Sequence, residues 1–81
     1  MNSSEGKEML NLIGNELLVS VPAHLYTLPF SVFLAKVENS LEKIITKLEG
    51  KNINIVGSYP LTFKFFLKRR LKGICNNITF K

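Results

Sequence analysis

Between residues 15 and 21 the side chains alternate, Leu17, Val19 and Val21 on one side against Glu16, Leu18 and Ser20 on the other. A period of two is the mark of a half-buried strand. Pro22 lacks an amide donor and closes it, leaving residues 22–27 as a connection. The period then changes. Phe30, Leu34, Val37, Leu41, Ile44 and Leu48 advance by steps of four and three, which makes one stripe along a helix. Lys36, Glu38, Glu42, Lys43, Lys47 and Glu49 fall off that stripe. Thr27 is placed to cap the helix, Pro29 sits in its first turn, where a missing N–H is harmless, and Gly50 stops it. Residues 52–56 predict a second strand with Ile53 and Ile55 on one face, followed by a tight turn at Gly57-Ser58-Tyr59. A second helix is predicted over residues 60–72, opened by Pro60 and ended by Gly73, and a last strand over residues 74–81. Ahead of these, Met9, Leu10, Leu12 and Ile13 predict a short turn of helix stopped by Gly14.

The predicted order is β-α-β-α-β. It implies a two-layer α/β sandwich with both helices on one face of a small mixed sheet. Residues 1–14 form an N-terminal arm, partly disordered or a short helix, and residues 15–81 form the domain. A chain of 81 residues buries a modest share of its surface, so a second chain is expected to add burial in a dimer.

Charge changes the picture more than composition does. Residues 1–50 carry four lysines against six glutamates, a net −2, whereas residues 51–81 carry seven cations and no acid. So one-sided a field favours an anionic partner such as nucleic acid, a membrane surface or an acidic protein. The most apolar run, LYTLPFSVFLA, is too short to span a bilayer and holds a proline. The polar start lacks the apolar stretch of a signal peptide, and Cys75 is the one cysteine. The expected setting is intracellular, nuclear or cytoplasmic, with no membrane partner. Asn77-Ile78-Thr79 fits the glycosylation pattern, but a motif this short recurs by chance and nothing else suggests secretion.

On a wheel of about 100° per residue, Phe63, Phe66 and Leu67 fall together with Leu71 beside them, as a core face. Lys64, Lys68 and Lys72 form a stripe at intervals of four, Arg69 extends it, and Leu61 and Phe65 fall inside this basic arc. Like charges four apart repel by a few tenths of a kcal/mol per pair, which a bound anion would relieve. Lys64, Lys68, Arg69 and Lys72 are therefore the candidate phosphate contacts, with Lys51 ahead of the second strand as a further one. Phe65 is a candidate for stacking on a base or packing on a partner. Arg70 falls near the core face, to snorkel outward or to pair across an interface. Chemistry for catalysis is sparse: one histidine, one cysteine and no acid in the last third. His24 suits a loop, Cys75 a small buried apolar residue, and no zinc spacing, P-loop or carboxylate pair is present. Neither an enzymatic activity nor a cofactor, metal or small-molecule substrate is expected.

Three segments carry a resemblance. Leu67-Lys68-Arg69-Arg70-Leu71-Lys72-Gly73-Ile74, continuing into NNITF, is similar to the second helix and following strand of eukaryotic Alba-family proteins. Asn15-Glu16-Leu17-Leu18-Val19-Ser20 resembles that family's opening strand, and NINIVG, ending at Gly57, its second strand and glycine turn. The resemblance implies an α/β sandwich that dimerises with itself or another Alba-like chain and binds RNA or DNA. Some members are paired protein subunits of ribonuclease P and the related ribonuclease MRP. Here PAHLYT carries no cation where members usually have basic residues, and Tyr59-Pro60-Leu61 follows Gly57 in place of a further glycine and Ala-Ile. Those departures suit a subunit held in a ribonucleoprotein by its partner better than a protein that coats duplexes. The expected function is thus non-enzymatic nucleic-acid binding, RNA foremost, by a dimer or heterodimer subunit. The alternative is a protein-interaction or dimerisation subunit that makes no direct nucleic-acid contact.

Overall fold

The computed structural model describes residues 9–81, so residues 1–8 of the expected arm lie outside the described residues. Strands β1 (Leu10–Ile13) and β2 (Glu16–Ser20) precede a 3₁₀ turn (Ala23–Thr27) and helices α1 (Phe30–Glu42) and α2 (Ile45–Leu48). Strand β3 (Asn52–Ser58), helix α3 (Leu61–Leu71) and strand β4 (Asn77–Phe80) complete the order. The sheet runs β1-β2-β3-β4, with β1 antiparallel to β2 and the other pairs parallel. This is the expected mixed α/β layering with one strand added.

That added strand replaces the helical turn expected at residues 9–13. Ile13 pairs with Glu16, so Gly14 and Asn15 make a two-residue hairpin turn. Gly14 takes φ 62° while, among the described residues, no non-glycine residue has positive φ, the pattern of a type II′ turn with glycine first. Gly14 therefore turns a hairpin and does not cap a helix.

The period-two signal in β2 is borne out: Leu17 and Val19 are buried and Glu16 and Ser20 exposed. Leu17 pairs with Ile55 and Val19 with Gly57 in β3. Together with Leu10, these residues and Ile53 form the apolar floor under the helices. Phe33 of α1 meets Phe63 of α3 edge-on at 5.7 Å, and Glu38 of α1 binds Arg70 of α3. Both helices thus lie side by side on one face of the sheet.

The helical stripe is displaced at its start. Phe33, Val37, Leu41 and Leu48 are buried, whereas Phe30 is 52 % exposed. Phe30 is the first residue of α1, and its ring stacks on Phe33 at 6.1 Å. Thr27 does not cap α1: its hydroxyl donates to the His24 carbonyl at 2.7 Å, inside the 3₁₀ turn, and Pro29 takes the cap position. The single helix expected to reach Gly50 breaks at Lys43 and Ile44. Ile44, Ile45 and Thr46 are three β-branched residues in a row, which crowd a helix backbone. The chain tightens there, with the Ile44 and Lys47 amides bonding carbonyls three residues back, and still buries Leu48.

The sheet's other face is open and largely polar. Thr79 donates to the Asn54 side chain, Asn76 donates to Asn52 at 2.9 Å, and Lys81 stands 3.7 Å from Glu16. No helix among the described residues is long and apolar enough to cross a membrane.

Candidate functional site

Helix α3 carries the candidate residues because its two sides meet different surroundings. Phe63, Leu67 and Leu71 are fully buried against the floor, as their spacing predicts, while Phe66 is half-buried. The α1 side of α3 is closed by charge. Arg70 Nε donates to both carboxylate oxygens of Glu38, at 3.0 and 3.1 Å, and Nη2 donates to Oε2 at 2.6 Å. Arg70, expected to snorkel outward or to meet a partner or base, thus clamps α3 to α1 within the chain and keeps about one-third of its side chain exposed.

That hydrogen bond, opposed by partial desolvation and helped by the Arg70 charge, holds the Glu38 carboxyl below the ordinary glutamate range. The same bond raises Arg70, with Glu42 adding a favourable charge. A depressed carboxyl binds protons less readily folded than unfolded. Its contribution is complete above the ordinary glutamate range and is lost as pH falls through the depressed value. Both side chains are about one-third exposed, so the bidentate pair contributes about 0.5–1 kcal/mol. Glu38→Gln should accordingly lower the urea midpoint at neutral pH and converge with the parent in acid. Parallel curves at every pH would show that the pair does nothing for the fold.

The opposite side of α3 faces β4. The Lys64 ammonium lies 5.1 Å from the centre of the Phe80 ring, a cation–π contact. Phe80 also meets the Tyr59 ring at 6.1 Å, and the Tyr59 hydroxyl donates to the Lys81 carbonyl at 3.3 Å. One and two turns further on, Lys68 and Lys72 border a shallow cleft of about 260 Å³ with Cys75, Asn76, Asn77 and Ile78. Lys51 joins this neighbourhood through its backbone: its carbonyl accepts from the Asn76 amide at 2.8 Å and from that of Asn77 at 3.4 Å. Among the described residues, no carboxylate pairs with Lys51, Lys68, Arg69 or Lys72.

Phe65, 58 % exposed, stands between two environments. On one side it shares a hollow with Lys68, Arg69 and Lys72, and on the other a groove with Phe30, Leu34 and Phe66. The groove's aromatic wall, with Phe30 and Phe65 exposed, is the part of the surface that helical periodicity misses. Periodicity assigns Phe30 to the core stripe, so the sequence gives no sign of this wall. Candidate catalytic groups do not come together. His24 is exposed in the 3₁₀ turn, and burial pushes the Cys75 thiol up, away from nucleophilic thiolate. Among the described residues, no group of three histidine, cysteine or acidic side chains could hold a metal ion.

Compared with known proteins, the chain matches no family model, no curated protein and no solved structure.

Proposed function

We propose that this chain is a non-enzymatic nucleic-acid-binding subunit, RNA foremost, that works as a dimer or heterodimer inside the cell, in the nucleus or cytoplasm. The observation that carries the reading is the row of Lys64, Lys68 and Lys72 beside Arg69, on a helix with no acid of its own. Lysines four apart recur about every 6 Å along a helix, a spacing that lets each meet a different phosphate. Lys51 extends the row at the Asn76–Asn77 turn. Phe65 stands where a base could stack, or where a second chain could cover the groove it shares with Phe30. The resemblance to Alba-family proteins supports the same function and a partner chain of similar kind, with a ribonucleoprotein such as ribonuclease P or MRP as one setting.

Fluorescence anisotropy with a short labelled single-stranded RNA tests this at several salt concentrations. Each neutralised contact should reduce the slope of log affinity against log salt by about 0.7, so converting Lys64, Lys68, Arg69 and Lys72 to glutamine removes about 2.8. Phe65→Ala should weaken binding by about 1–3 kcal/mol without changing that slope if the ring stacks on a base. A quadruple variant that binds as well as the parent overturns the proposal. The protein-interaction reading, which the exposed Phe30 and Phe65 rings favour, would then take its place.

A further inference from the structure

We propose that the free edge of β4, together with Lys68 and Lys72, is a docking site for an extended acidic segment of a partner protein, which joins the sheet as a fifth strand. The inference does not depend on nucleic-acid binding, although it uses two of the same lysines.

The backbone supplies the first half of the case. β4 is the outermost strand, next to β3 alone. The Asn77 amide bonds the Lys51 carbonyl and the Lys81 amide bonds the Ile55 carbonyl, so the odd-numbered residues turn their backbone groups toward β3. Strand geometry then turns the N–H and C=O of Ile78 and Phe80 outward. Among the described residues no strand covers them. The edge is also held in shape. Phe80 is fixed between Tyr59 and Lys64, and Ile78 packs against the core. Alternating donors and acceptors at strand spacing are complementary to another polypeptide backbone and not to a phosphodiester chain.

Charge supplies the second half and selects the occupant. Lys68 and Lys72 border the cleft that ends at Ile78, on the helix side of the edge. They repeat about every 6 Å along α3, and side chains on one face of a strand repeat about every 6.6 Å. A strand added to β4 with acids at every second position therefore aligns one carboxylate with each ammonium. A second copy of this chain pairing through β4 would instead bring two rows of lysines together. Flanking lysines protect edges against that association.

The test uses a fluorescein-labelled ten-residue peptide of alternating threonine and glutamate. A control peptide keeps the sequence and its charges but is N-methylated at every backbone amide, which removes the donors needed for pairing in either strand direction. The first peptide should bind, the control should not, and amide hydrogen exchange should slow at Ile78 and Phe80. Lys68→Glu/Lys72→Glu, checked for intact fold by circular dichroism, should lose affinity about tenfold. Equal binding of both peptides, or binding without protection of Ile78 and Phe80, overturns the proposal by reducing it to charge attraction. So does protection that appears with protein concentration alone, which would mark a β4–β4 dimer. RNA binding with no peptide binding overturns this inference and leaves the proposed function standing, and peptide binding with no RNA binding does the reverse.

Discussion

Gly57→Ala should be among the most damaging single substitutions in this protein, lowering stability by about 3–5 kcal/mol. Two separate costs meet at this position. Its φ of 141° lies in a region that residues with a Cβ avoid. An added Cβ would also overlap the Val19 carbonyl oxygen and stand 3.1 Å from the carbonyl carbon. That neighbour is backbone in the central β2–β3 ladder, so it cannot swing aside as a side chain would. For a domain this small the loss is comparable with the whole folding free energy, about 4–12 kcal/mol. Gly14→Ala separates the two costs. Gly14 also has positive φ, at 62°, but nothing lies within 4 Å of the place an added methyl group would take. It should lose only about 1–2 kcal/mol. Urea denaturation of both variants decides the matter. Equal midpoints would mean that Val19 and Gly57 are not paired as described.

The second large effect is expected from α3. Phe63 and Phe65 are two residues apart and chemically identical, yet Phe63 is fully buried and Phe65 is mostly exposed. Phe63 meets Phe33 and Tyr59 edge-on, at 5.7 and 6.2 Å, and fills the space between the helices and the sheet. Phe63→Ala should therefore cost about 3–5 kcal/mol through lost burial and the cavity left behind. Phe65→Ala should change the stability of the single chain by no more than about 0.5 kcal/mol. Thermal melts of the two variants in dilute solution compare them directly. A larger loss at Phe65 would mean that α3 is rotated about its axis.

These paired residues also show how much of the molecule is legible in the sequence. Leu17 and Val19, Ile53 and Ile55, and Phe63, Leu67 and Leu71 follow their periods faithfully, because each belongs to an element with one buried face. The hairpin escapes such a reading, since Leu10, Leu12 and Ile13 suit a helical turn as well as a strand of four residues. So short a run has no decisive period, and only the Gly14-Asn15 turn pair argues for a strand. The basic arc is legible because charges on α3 are local in sequence. Arg70 is not, since its partner Glu38 lies 32 residues away and nothing local announces the pairing. The aromatic wall that joins Phe30 to Phe65 depends on how α1 packs beside α3, which no wheel drawn for one helix contains.

Spatial order in the sheet equals chain order, from β1 through β4, so every strand after the first docks beside the one made just before it. No strand has to wait for a later segment to be inserted between it and its neighbour. Assembly can proceed vectorially, beginning with the hairpin at Gly14, the pairing with the smallest loop to close. Each parallel strand then arrives with the helix that covers it. β4 is the final addition, and its departure would expose β3 as a new rim without breaking any other pairing.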